Sequence, residues 1–167
     1  KIAPDASFIS LQPALTGAQV NGLLAKYSKK IGPDPASINA AMIGGIAANN
    51  ASGMCCGISQ NSYKTLKSMK LIFADGAKLD TGCQESKDAF RKTHGDFLKE
   101  LKNFSNDTKN NEELRAKIER KFKIKNTCGY SLNALIDFED EFEILEHLII
   151  GSEGTLAFIE EITYYTV

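Results

Sequence analysis

"TLKSMKLIFADGAKLDTG" (65–82) sets two β-type runs on either side of Asp75-Gly76. An Asp-Gly pair between such runs is a strong hairpin signal, because both residues tolerate the positive φ that a tight connection demands. A hairpin imposes antiparallel pairing. The chain is therefore expected to be α+β, with an antiparallel sheet of about five strands flanked by helices, rather than a doubly wound parallel sheet.

Toward the N-terminus, "SFISLQP" (7–13) reads as a short strand ended by Pro13. "TGAQVNGLLAKYSKKIGP" (16–33) reads as a helix. Thr16 and Gln19 form a capping box, and Val20, Leu23, Leu24 and Tyr27 recur at i, i+3, i+4 and i+7. Lys29 and Lys30 suit its negative end, and Gly32-Pro33 stops it. Toward the C-terminus, residues 84–125 are charged and helical without a β-branched run, with Asn111 capping the last helix. This segment reads as a solvated helical insertion whose charge runs face water. "DEFEILEHLIIGSEG" (140–154) is a further helix, capped by Asp140, with Ile144, Leu145, Leu148 and Ile149 as its buried stripe. "TLAFIEEITYYTV" (155–167) is one long strand or two short ones joined by a bulge.

The bulk properties narrow the function classes. A chain of 167 residues suits one domain with one core. A net charge of −1 argues against non-specific binding to nucleic acid or anionic membrane. No apolar run is long enough for a transmembrane segment, and "KIAPDASF" is no signal peptide. Cys55, Cys56, Cys83 and Cys128 match neither a disulfide framework nor a zinc spacing, so reduced, cytoplasmic thiols without metal are expected. The start at Lys1 and the stop in strand-like sequence read as a piece of a longer protein.

"GPDPASINAAMIGGIAANNASG" (32–53) is nearly all small residues; only Ile38, Met42, Ile43 and Ile46 are sizeable and apolar. Such a stretch buries little side-chain surface but allows close approach to a bare backbone. Residues 38–50 are expected to form a short helix or two turns packed tightly against a neighbour. There is no P-loop and no G-x-G-x-x-G. His94 and His147 stand far apart and read as structural, with His147 near a helix C-terminus where partial positive charge is favoured. What remains is the small-residue stretch and "GSEGTLAFIEE" (151–161), where Gly151 and Gly154 bracket Ser152-Glu153.

On "GPDPAS…IGGIAANNASG" followed by "GSEGTLAFIEEIT", the chain resembles the FAD-binding domain of the vanillyl-alcohol-oxidase, or PCMH-type, flavoproteins. "NNASGMCCGISQNSYKTLKSMKLIFADGAKLDTG" and "IKNTCGYSLNALIDF" are similar to the D-lactate dehydrogenase, glycolate oxidase and D-2-hydroxyglutarate dehydrogenase branch, in bacterial members with a C-terminal iron–sulfur domain. The resemblance implies that residues 1–167 are the second FAD subdomain, with a helical insertion at about 84–125. The phosphate-loop subdomain and the substrate domain would lie outside this chain.

The resemblance also implies a site. Pro35 and Ser37 would lie against FAD, and Gly44 and Gly45 would admit the pyrophosphate and ring. Asn49, Ser52 and Gly53 would face the isoalloxazine, while Gly151, Gly154, Phe158 and Ile159 would meet the adenosine half. Ala157 stands where the family reads Gly. No histidine or cysteine matches a covalent flavin anchor, so the FAD is expected to be non-covalent, and no catalytic or metal-binding residue is expected in this chain. The implied parent protein is a cytoplasmic oxidoreductase, or one held at the inner membrane through its electron acceptor. It would oxidise a D-2-hydroxy acid, D-lactate first, with D-2-hydroxyglutarate or glycolate as alternatives. An iron–sulfur cluster would lie outside this chain. A non-catalytic nucleotide-binding or interaction module is the rival reading.

Overall fold

The computed structural model describes residues 1–127 and 129–167. Cys128, one of the thiols expected to be reduced, lies outside the described residues. In chain order the elements are β1 (Phe8–Leu11), α1 (Gly17–Leu24), α2 (Ile43–Asn49), α3 (Ser62–Thr65), β2 (Leu66–Ile72), β3 (Lys78–Asp80), α4 (Gln84–Asn110), α5 (Glu112–Phe122), α6 (Ala134–Asp137), α7 (Glu141–Ile149) and β4 (Phe158–Tyr165). The sheet order is β1-β4-β2-β3 and every pairing is antiparallel. The α+β expectation therefore stands.

The hairpin that decided the fold class closes as read. Gly76 takes φ +85°, its N–H donates to the Phe73 carbonyl at 2.9 Å, and Asp75 Oδ1 accepts from Ala77 N–H at 2.9 Å. Lys70, Leu71 and Ile72 then pair with Asp80, Leu79 and Lys78. One sheet face carries Ile9, Leu11, Met69, Leu71, Leu79, Ile162 and Tyr164 into a core with Val20, Leu24, Ile43, Ile46, Phe142 and Ile149. The Tyr164 hydroxyl, fully buried, donates to Ser62 Oγ at 2.8 Å, which satisfies it inside the apolar layer.

Four strands form among the described residues, against about five expected. The count falls to four because the C-terminal segment, open to reading as one strand or two, forms the single strand β4. β4 is a single strand whose register against β2 shifts at Leu66/Ser68 and at Lys70/Leu71.

The helix expected over 16–33 keeps its capping box but ends as an α-helix at Leu24. A 3₁₀ turn, Ala25–Tyr27, follows, and Ser28 closes it at φ 55°. Val20 and Leu24 of α1 are buried and Leu23 faces water; the tighter turn breaks the 3.6-residue period after Leu24, and Tyr27 is exposed as well. Over 38–50, where a short helix or two turns are expected, the helical part is about two turns long. Ser37 accepts from Ala40 and Ala41 N–H, Met42 is extended and bridges to Thr16, and only Ile43–Asn49 is helical. Asn50 then stops α2 in the left-handed region. The caps at Asn111 and Asp140 form as read.

His147 is corrected by its surroundings. Its ring is buried between Tyr63 and Phe138, with ring centroids at 4.8 and 4.0 Å, and its Nδ1–H donates to the Glu143 carbonyl at 2.8 Å. Burial lowers its pKa to about 4, so it is neutral rather than a charge on the helix end. His94 sits at a non-helical position inside α4, stacks on Phe90 at 4.3 Å, and reaches Asp75 Oδ2 at 2.9 Å. Both histidines therefore hold structure.

Candidate functional site: a groove between α2 and the 151–154 turn

Gly151 and Gly154 adopt φ +88° and +76°, and Glu153 between them adopts φ +54°. These left-handed positions fold "GSEG" into a tight turn and direct its amides at the last turn of α2. Gly151 N–H donates to the Ala47 carbonyl at 3.1 Å and Glu153 N–H to the Ala48 carbonyl at 2.8 Å. Asn49 Nδ2 donates to Glu153 Oε1 at 2.5 Å. The Ala47 carbonyl, which also accepts from the capping Asn50 N–H, and the Ala48 carbonyl at the end of a seven-residue helix are thus met by a loop about a hundred residues away in sequence.

The other side of α2 is held by the chain after β1. Gly44 N–H donates to the Pro13 carbonyl at 2.9 Å, and a Cβ on Gly44 would meet Pro13 Cβ at 2.8 Å. Between these contacts runs a groove of about 180 Å³ lined by Pro13, Gly44, Ala48, Ser152, Gly154, Ala157, Phe158 and Ile159. A second hollow of about 240 Å³ continues past Phe158 along Ile72, Phe73, Ala74 and Leu156. Phe158, 61% exposed, stands between the two.

The lining is apolar and carries no ionisable side chain, so this surface is suited to holding a ligand rather than to moving protons. Its one side-chain polar group is Ser152 Oγ. That hydroxyl is buried and has no hydrogen-bond partner among the described residues. A buried hydroxyl without a partner is costly, and a ligand oxygen or nitrogen in the groove would satisfy it. A small-residue wall and an unmatched donor both fit an extended ligand such as a dinucleotide.

Of the positions singled out from sequence, Gly44, Gly154, Phe158 and Ile159 line the groove together. Asn49 and Gly151 lie behind it, in the hydrogen bonds that join its two sides. Gly45 lies on the exposed side of α2 with nothing within 4 Å of a Cβ placed there. Gly53 faces protein: a Cβ on it would come within 1.8 Å of the Asp34 carbonyl oxygen, which locks the 53–57 loop onto the Asp34-Pro35 segment. Pro35 is buried, Ser37 is exposed, and the carbonyl of buried Ser52 accepts from Lys125 Nζ. Sequence reasoning did not single out Pro13, Ala48 and Ser152 as lining residues. In sequence Pro13 signals only the end of a strand, and Ser152 is one small residue inside a glycine turn.

The remaining chemistry-bearing groups lie elsewhere. Cys55 is exposed, Cys56 is buried with Sγ 3.6 Å from the Gly53 carbonyl oxygen, and neither is in a disulfide. No cluster of three or more potential metal ligands occurs among the described residues. No helix there is long and apolar enough to cross a membrane.

Residues 1–82 match the family described as FAD binding domain. The fold resembles two solved structures of alkyldihydroxyacetonephosphate synthase. For one, in P1, the TM-score is 0.54 at 16% identity, covering 100% of this chain and 20% of that one. For the other, in P212121, the TM-score is 0.54 at 16% identity, covering 99% and 19%. At that identity the likeness shows the fold, and the chain spans about a fifth of those structures. No curated protein sequence matches the chain.

Proposed function

We propose that this chain forms one wall of the FAD site of a flavoprotein oxidoreductase. The observation that carries the reading is the groove between α2 and the "GSEG" turn, where small residues clear the backbone and the Ser152 hydroxyl awaits a partner. The family match over residues 1–82 supports the cofactor independently.

In this reading Gly44 and Ala48 present a low wall, Gly154 opens the turn, and Phe158 offers an apolar face to the adenosine half. Ser152 Oγ donates to a cofactor oxygen or nitrogen. The loops around Pro35, Ser37, Ser52 and Gly53, joined by the close contact between Gly53 and the Asp34 carbonyl, lie on the ring side with Asn49. Gly45 remains assigned to the approach of the pyrophosphate. Bound FAD would supply hydride acceptance, and this chain's residues supply position and an apolar surround.

We further infer that the full-length protein oxidises a D-2-hydroxy acid, with D-lactate preferred over D-2-hydroxyglutarate and glycolate, and passes electrons to a separate acceptor. Groups that bind substrate, and any iron–sulfur domain, belong to parts of the protein beyond this chain. The motifs "GMCCGISQNSY" and "GSEGTLAFIEEIT" support this branch. Purified full-length protein should be yellow, absorb at about 450 nm and bleach on addition of D-lactate without an acceptor. A colourless protein that takes up no added FAD would refute the cofactor assignment. A yellow protein bleached only by another hydroxy acid would refute the substrate.

A further inference from the structure

Glu153 occupies a place that costs stability twice. It is a non-glycine residue at φ +54°, in a turn whose Gly151 and Gly154 adopt positive φ without penalty. Its carboxylate also sits at the C-terminal end of α2, where the helix dipole disfavours negative charge. Glycine at 153 would relieve both. What glutamate provides instead is one contact, Oε1 accepting from Asn49 Nδ2 at 2.5 Å.

That contact lies at a telling point. Asn49 is the last residue of α2, and Asn50 after it turns left-handed with its Oδ1 accepting from Tyr63 N–H at 3.3 Å. Gly44 and Ala48 of the same helix form one side of the groove, and Ser152 and Gly154 on either side of Glu153 form the other. The backbone bonds from Gly151 and Glu153 to Ala47 and Ala48 set the spacing of the two sides. Ser131 and Tyr130 brace the turn from its far side, at the Ile150 carbonyl and Thr155 Oγ1; the Asn49–Glu153 bond is the side-chain hydrogen bond that ties it to α2.

We propose that Glu153 and Asn49 are positioning residues that hold the two walls of the groove in register, so that Ser152 Oγ and the Gly154 backbone meet a ligand at fixed spacing. The role proposed for the pair is this spacing, set through their own bond. The proposal rests on the FAD reading for its ligand, while the clamp can be read without any flavin.

The test uses Glu153→Gly and Glu153→Gln in the full-length protein. Glycine removes the strain and the acceptor together; glutamine keeps an acceptor for Asn49 Nδ2. The expected result is that Glu153→Gly melts no lower than wild type yet binds FAD about fivefold more weakly, as loss of one ordinary hydrogen bond implies. Glu153→Gln should restore wild-type affinity. Without flavin, hydrogen exchange at the Gly151 and Glu153 amides should quicken in Glu153→Gly and return to wild type in Glu153→Gln. Unchanged exchange in Glu153→Gly overturns the clamp, as does a glutamine variant as weak as the glycine one. If wild type binds no FAD while exchange still separates the variants, the clamp stands and the FAD reading fails.

Discussion

Glu146 and His147 stand side by side on α7, each only 6% exposed, and burial drives their ionisation in opposite directions. Desolvation raises Glu146 from 4.5 to about 7, and one of its carboxylate oxygens has no partner among the described residues. Desolvation lowers His147 from 6.5 to about 4. Their nearest charged atoms are 3.8 Å apart, too far for a hydrogen bond. His147 is therefore neutral at pH 7, while Glu146 is neutral only below about pH 7.

Opposite shifts give opposite pH slopes. Glu146 costs nothing below 4.5 and destabilises increasingly as pH rises to about 7, because the unfolded chain ionises first. His147 costs nothing above 6.5 and destabilises increasingly as pH falls to about 4, because the unfolded chain protonates first. Between 4.5 and 6.5 the two slopes oppose, and wild-type stability should be nearly flat. Glu146→Gln should remove the falling limb and add up to about 3 kcal/mol at pH 8, at roughly 1.4 kcal/mol per pKa unit. Urea melts at pH 5, 6.5 and 8 measure this; a Glu146→Gln protein less stable than wild type at pH 8 would disprove it.

Gly53→Ala should destabilise strongly, by about 3 kcal/mol, since its Cβ would lie 1.8 Å from a backbone oxygen that cannot move without its loop. Gly45→Ala should be neutral or slightly stabilising in the flavin-free protein, because its Cβ meets open space inside a helix. Thermal melts of the two variants give the comparison. Equal melting temperatures would contradict it.

The isolated chain should bind FAD weakly or not at all, and the full-length protein tightly. Tight sites bury roughly 70–90% of a ligand, and a groove of about 180 Å³ open on one side covers far less. Three missing hydrogen bonds to charged phosphate oxygens, at about 1.5–3 kcal/mol each, weaken binding by three orders of magnitude or more. A fluorescence titration of this chain giving submicromolar affinity would refute the division of labour.

In the full-length protein Gly45→Val should strip the flavin if the pyrophosphate approaches α2 from its exposed side, where this structure leaves room for a side chain. Retention of yellow colour and activity would remove Gly45 from the site. Gly44 and Gly154 would remain as its groove-facing glycines.

Of the adjacent thiols, Cys55 should react quickly with a maleimide and Cys56 slowly, since only Cys55 is exposed. Neither should carry metal. Mass spectrometry of the labelled peptide and elemental analysis decide both points, and rapid double labelling or stoichiometric zinc or iron would count against them.

Local chemistry was legible in the sequence wherever one or two neighbouring residues decide the backbone. The Asp75-Gly76 turn, the Thr16–Gln19 capping box and the caps at Asn111 and Asp140 all formed as read, because each is a short-range hydrogen-bond choice. Small residues and paired glycines likewise marked where backbone comes close to something. Sequence could not say to what. Gly53 meets the Asp34 carbonyl, Gly44 meets Pro13, and Gly45 meets nothing, although all three read alike. The neutrality of His147 and the joining of Asn49 to Glu153 also depend on segments far apart in the chain. Burial and long-range partners are properties of the packed chain, and tertiary structure alone decided them.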